Sequence, residues 1–254
     1  MKFNNNLTIY LSSCLELSWI DIKLRYSRSV LGPLWIVISS MVLIGGLTFV
    51  FNSLWGMEVK TVVPWIAIGV IVWGFILTVI EEGSQLLMND VFNNLAIKPL
   101  KWCIIHVFKN TIILSHNFLV IGLALYFCDV KLTLNAFWMI YGVIVLLINA
   151  MSFSIILSFL CTRYRDFILV IRNGMFLLFL ITPIFWMPDV LKGNRAILAD
   201  YNIIFQLIQT IRDPLLGNSL SAYNLVFTSS FTLFFAIFTI LIYKKYAKKF
   251  NLWI

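Results

Sequence analysis

Six stretches of this chain are apolar for about as long as a helix needs to cross a bilayer, roughly twenty residues at 1.5 Å rise. They are Leu34 to Leu54, Val62 to Ile80, Ile104 to Phe127, Ala136 to Leu160, Asn173 to Met187 and Tyr223 to Tyr243. A lipid-exposed backbone must satisfy its own hydrogen bonds, so runs of this length dictate helices. The expected fold class is an all-α integral membrane protein with six transmembrane helices, forming one transmembrane domain over residues 1–254. The fifth run is short and ends at Thr182-Pro183 and Trp186-Met187-Pro188, which predicts a span that breaks before the far interface. Composition agrees: 61% of the residues are hydrophobic and only 12% charged, with a mean hydropathy of +0.95.

A net charge of +8 would suggest a nucleic-acid partner in a soluble protein. Here the cations gather at the ends of the apolar runs, and no nucleic-acid role is expected. With a cytoplasmic N-terminus, Lys2, Lys23, Arg25, Arg28, Lys98, Lys101, Arg163, Arg165, Arg172, Lys244, Lys245, Lys248 and Lys249 fall inside. Only Lys60, Lys131, Lys192, Arg195 and Arg212 fall outside, with Lys109 close enough to the inner surface to snorkel. The positive-inside rule therefore places both termini in the cytoplasm. No signal peptide is expected, because Leu7 to Leu17 is interrupted by serines and Glu16.

Between the spans lie segments of mixed character. Leu7 to Tyr26 reads as an interfacial helix with Leu7, Leu11, Leu15, Ile22 and Tyr26 on one face and Ser12, Ser13, Glu16 and Lys23 opposite; a disordered leader is the alternative. The loop Glu81 to Trp102 repeats Leu87, Met88, Val91, Phe92 and Leu95 at helical spacing, consistent with a short amphipathic helix on the membrane. Residues 188–222 are too polar to span and too apolar for a plain loop. Ile204, Leu207, Ile208 and Ile211 share a face there, so two short external re-entrant or interfacial helices are expected. The sixth span then takes 223–243 and a basic cytoplasmic tail takes 244–254.

The basic segment Arg25 to Trp35 ends in Leu-Gly-Pro-Leu-Trp just before the first span, and Arg163-Tyr164-Arg165-Asp166 follows in a later loop. In these two motifs, in this order, the chain resembles the membrane subunits of type-2 ABC exporters of lipid-linked polysaccharides, such as O-antigen and teichoic acid chains. The resemblance covers essentially the whole length. It implies a bacterial inner-membrane permease acting as a homodimer with two copies of a separate ATPase subunit, which would bind ATP and magnesium; no cofactor is expected in this chain. It further implies that Leu87, Met88, Val91, Phe92 and Leu95, with Arg163, Arg165 and Asp166, couple to that ATPase. Lys23, Arg25, Tyr26, Arg28 and Trp35 would stand where lipid-linked substrate enters. External gate helices would carry Ile204, Leu207, Ile208 and Ile211.

The substrate implied first is undecaprenyl-linked O-antigen, then teichoic acid, then capsule. Sugar rings stack on aromatic faces, which makes Trp65, Phe75, Phe176, Phe179, Phe185 and Trp186 candidates for lining a conduit. Other aromatics sit where belt anchors belong. His116, deep in the third run, is expected to hydrogen-bond Asn149 or Ser152 rather than to relay protons.

Two other classes stay open on the residues alone. A membrane enzyme of lipid-linked glycan synthesis would need clustered catalytic side chains, and Glu81-Glu82 is the one acidic pair available. An ion-coupled carrier would need a midplane acid, and the runs contain none. The four cysteines show no metal spacing, and no Gly-Lys pair marks a phosphate loop.

Overall fold

The computed structural model describes residues 2–27, 29–32, 34–88, 98–188 and 197–247, and every regular element among them is helical. In chain order these are α1 (Lys2–Tyr26), α2 (Leu34–Trp55), α3 (Val59–Gln85), α4 (Pro99–Phe127), α5 (Met139–Arg163), α6 (Phe167–Ile181), α7 (Ile197–Asp200), α8 (Ile203–Leu215) and α9 (Ala222–Tyr246). Single 3₁₀ turns, Leu86–Met88 and Leu134–Trp138, extend α3 and precede α5. The helices α2, α3, α4, α5 and α9 are long and apolar enough to cross a membrane. The chain is a multi-pass, all-α membrane protein.

The helices differ in how much of their apolar surface they spend on one another. In α3 67% of the most apolar window is buried inside the protein, against 17% in both α2 and α9. Thus α3 is the hub, and α2 and α9 turn most of their surface outward. A single core joins Val62, Ile66, Val72 and Val79 of α3 to Leu114 and Ile121 of α4, Leu146 of α5 and Ile208 of α8. At one end of the bundle a smaller cluster of Leu86, Leu87, Cys103, Ile155 and Phe159 is closed by Tyr243 and Tyr246 of α9. At the other end Lys60 of α3 pairs with Asp129 at 2.6 Å, and this bond holds the Asp129 carboxyl below its ordinary range. Tyr223, at the start of α9, also lies at this end, donating to the Asp200 carbonyl at 3.2 Å.

Several boundaries differ from those read in the sequence. The second span continues through Glu81 and Glu82 to Gln85 instead of stopping at Ile80. The third begins at Pro99, which occupies the first helical turn where its missing N–H costs nothing, instead of Ile104. The fifth run forms α6 over Phe167–Ile181, not Asn173 to Met187. A residue before proline is pushed out of the helical region, and Thr182, ahead of Pro183, is accordingly extended. At 15 residues α6 measures about 22 Å, short of a bilayer core. Residues 182–187 continue beyond it as irregular chain.

The helix expected over Leu7 to Tyr26 forms as α1, and part of its surface packs against α4. Cys14, Ser18 and Ile22 are buried, whereas Leu11 and Leu15 are exposed. Ser18 Oγ donates to the Ile105 carbonyl of α4 at 2.9 Å, so small residues bring these two backbones close. The leucines are left for the membrane.

Of the external helices, α8 is seated deep in the bundle. Asn202 caps it, its Oδ1 accepting from Ile204 N at 3.0 Å and Phe205 N at 3.1 Å. The helix runs through Pro214 and is stopped by Gly217, which takes φ +88°, a value costly for other residues. A β-carbon on Gly142 of α5 would lie 2.6 Å from the Thr210 carbonyl oxygen of α8 and 2.8 Å from Ile211 Cγ1. Gly142→Ala is therefore expected to destabilise the protein by about 1–3 kcal/mol. A lowered unfolding temperature in detergent is the readout; an unchanged one would show that α8 shifts without cost.

Candidate functional site

Two polar centres interrupt the apolar bundle, one at each end. At the end holding Leu87 and Tyr243, Glu82 of α3 accepts from Arg25 of α1 at 2.7 Å and from Lys109 of α4 at 2.7 Å. Asp21 lies 3.2 Å from Lys109, and His106 Nδ1 is 3.8 Å from Glu82. The Lys109 side chain is only 12% exposed. It does not snorkel to the surface, as the sequence suggested, because a carboxylate meets it within the bundle. Glu82, one of the acidic pair noted in the sequence, is the joint between α1, α3 and α4. A lysine and an acid facing inward from neighbouring spans was the available signal. Of the candidates here, Arg25 is in the cluster, Lys23 stands 5.8 Å from the Trp19 ring, and Tyr26 is the last residue of α1. Arg28 lies outside the described residues.

Beyond this cluster a cavity of about 420 Å³ opens between α2, α3 and α4. Trp35 and Phe75 line it together with Ser39, Ser40, Thr78, Asn110 and Asn117. Ser40 Oγ donates to Asn117 Oδ1 at 2.9 Å, tying α2 to α4. The expected hydrogen bond from His116 to Asn149 or Ser152 does not form; its Nδ1–H donates to the Ile112 carbonyl one turn back at 2.7 Å. Asn149 instead donates to Thr232 Oγ1 of α9 at 2.7 Å.

At the opposite end Arg212 of α8 is fully buried, although the sequence placed it among the external cations. Its guanidinium donates to the carbonyls of Pro183 at 3.1 Å and Ile184 at 2.9 Å, and lies 3.9 Å from the Trp65 ring centre. Gly69 of α3 makes this possible, because a β-carbon there would overlap both the guanidinium and the Ile184 carbonyl. Trp65 Nε1 donates to the Trp186 carbonyl at 3.3 Å. The aromatic candidates Phe179 and Phe185 stack in a chain from Trp73 to Phe51, with centroids 5.3 to 5.6 Å apart. Phe75 lies apart from them, at the cavity near the other end. Phe176 separates from all of these: it is 65% exposed on α6. Ile204, Leu207, Ile208 and Ile211 do share a face of α8, and it is buried against the core.

The coupling candidates divide. Leu87 is 2% exposed and packs with Cys103 and Phe159, so it offers no surface to a partner in this conformation. The continuation of α3 past Ile80 carries it inward. Met88 is half-buried, and Val91, Phe92 and Leu95 lie outside the described residues. Arg163, Arg165 and Asp166 are all exposed in the turn from α5 to α6, with Arg163 resting 5.3 Å from the Tyr164 ring centre. Among the described residues no group of three or more His, Cys, Asp or Glu is placed to hold a metal ion.

No protein-family model matches the chain. Two curated proteins from Klebsiella pneumoniae, each named O-antigen export system permease protein RfbA, align with it over 235 residues, covering 87% of this chain and 86% of the relative. They are 23% and 22% identical to it. Over most of its length the chain is similar to O-antigen export permeases. The match to these permeases spans nearly their whole length, as the paired motifs in the sequence imply.

Proposed function

We propose that this chain is the membrane-spanning subunit of an ATP-driven exporter of lipid-linked polysaccharide, with undecaprenyl-linked O-antigen as its substrate. The length-wide similarity to O-antigen export permeases carries this reading. In it the protein resides in the bacterial inner membrane with both termini cytoplasmic. The five long helices and the broken segment of α6 with 182–187 make six crossings. Two copies assemble with two ATPase subunits, which supply ATP and magnesium chemistry. The exposed Arg163, Arg165 and Asp166 would meet the ATPase, together with the segment after Met88. A bistable element is needed for such transport, and rigid shifts of packed helices against each other are the usual form.

The geometry also weighs against a membrane glycan-synthesising enzyme built on Glu81-Glu82. Glu82 is committed to Lys109 and Arg25, and an acid held by two cations makes a poor proton donor.

The decisive experiment is co-purification of the tagged protein from its own cells in mild detergent. A stoichiometric ATPase subunit with vanadate-sensitive hydrolysis is expected, and Arg163→Glu with Arg165→Glu should reduce its recovery by about tenfold, as for charges reversed across an interface. A protein that repeatedly purifies alone, without ATPase activity, overturns the reading.

A further inference from the structure

The cavity between α2, α3 and α4 is unusual for its polar lining. Its polar residues come from the interiors of three apolar spans: Ser39 and Ser40, Thr78, and Asn110 and Asn117. Polar side chains inside a membrane protein are costly and mark pathways unless they satisfy each other. Here they do so only in part. The Asn117 oxygen accepts from Ser40, which leaves its amide N–H groups as donors. Asn110, 2% exposed, uses its amide nitrogen on the His106 carbonyl at 3.0 Å, and its oxygen remains an acceptor. Thr78 donates to the Gly74 carbonyl at 2.7 Å and keeps its lone pairs. Donors and acceptors thus alternate around one space. Phe75 and Trp35, the latter 47% exposed, offer aromatic surface beside them. A second cleft, of about 570 Å³, has a more apolar lining, with Ile76, Phe153, Met175 and Phe231 beside Tyr201 and Asn202.

Mixed hydrogen bonding beside an aromatic face suits a pyranose ring, whose hydroxyls both donate and accept while its C–H face is apolar. It suits neither an acyl chain nor a bare cation. At about 420 Å³ the cavity falls within the roughly 300–1,000 Å³ range of small-molecule sites. The position completes the argument. Glu82 is one helical turn beyond Thr78, and Lys109 is one turn before Ile113, another lining residue, so the Arg25–Glu82–Lys109 cluster stands at the cavity's end. We infer that this cavity is a subsite within one protomer for a single sugar ring, the one nearest the lipid carrier, whose phosphates would take Arg25 and Lys109 over from Glu82 and Asp21, the acids that hold them here. The inference rests on the exporter reading and adds a place where the first sugar is recognised.

The test uses the permease–ATPase complex in nanodiscs and two probes, undecaprenyl pyrophosphate and the same carrier bearing one N-acetylglucosamine. The wild-type complex is expected to bind the sugar-bearing probe about tenfold more tightly, the margin of one or two good hydrogen bonds. Asn117→Leu and Thr78→Val should each remove most of that preference and leave affinity for the bare carrier unchanged. A second measurement needs no disruptive change. Ser39→Cys, in a chain whose Cys128 is serine, should react with a polar thiol reagent, since Cys14, Cys103 and Cys161 are buried. The sugar-bearing probe should slow that reaction and the bare carrier should not. A preference intact in both variants, or equal protection by the two probes, overturns the sugar site while the exporter reading stands. Failure of either carrier to bind the wild-type complex overturns the exporter reading, and the subsite with it.

Discussion

Arg212→Lys is expected to damage this protein more than Arg212→Met does. The guanidinium reaches two successive carbonyls and lies 3.9 Å from the Trp65 ring centre, and the structure records no ion pair for it among the described residues. A lysine keeps the buried charge but cannot fork to both carbonyls or stack, so the desolvation cost remains and its compensation shrinks; about 2–4 kcal/mol of stability should be lost. Methionine also strands the carbonyls, but it removes the cost of burying a charge and refills much of the volume. Its loss should stay near 1–2 kcal/mol. Unfolding temperatures followed by size exclusion in detergent should fall in the order wild type, methionine, lysine. A lysine variant as stable as methionine would show that charge, not the planar fork, is irrelevant to how α8 is held.

Glu82→Gln should free α1 from the bundle without unfolding the spans. The substitution leaves Arg25 and Lys109 facing each other, with Asp21 the nearest remaining acid at 3.2 Å from Lys109. Because Glu82 and Arg25 are partly exposed, solvent screening limits the loss to about 1–2 kcal/mol, and the share carried by Arg25 falls on the docking of one helix. Amide exchange across Cys14 to Arg25 should rise by about tenfold or more, consistent with that energy. Adding Lys109→Met removes the stranded cation and should recover part of the protection. Unchanged exchange in the single variant would mean that Cys14, Ser18 and Ile22 hold α1 unaided.

The spanning helices were legible because a bilayer enforces a length, and Leu34 to Leu54 or Tyr223 to Tyr243 can satisfy it in only one way. The break after α6 was legible for a similar reason, since Thr182-Pro183 admits no helix. What the sequence did not show was where α1 packs on α4. In water the leucines of α1 would mark its buried side. Against lipid, Leu11 and Leu15 can face outward at no cost, and the close contacts fall to Cys14 and Ser18, which carry no hydrophobic signal. The same logic displaced Leu87, a good candidate for an exposed surface until α3 proved to run on to Gln85. Glu82 and Arg212 were obscured because their partners come from distant parts of the chain. The candidate aromatics were partly recoverable: Phe179 and Phe185 join one cluster because they flank the turn at Thr182, whereas Phe176 points away on the same helix.

Gly69 also sets an order of assembly. The indentation it leaves in α3 is synthesised early, and the arginine that occupies it arrives only after α4, α5 and α6 have been made. Until then the nascent protein carries an unfilled groove beside Trp65, and α8, too short to span, has no stable place in the membrane by itself. Correct insertion of the early helices thus creates the receptor for a late one. Any change that closes the groove prematurely would show first as slow maturation and heightened proteolysis of newly made chains, before any defect in the finished protein could be measured.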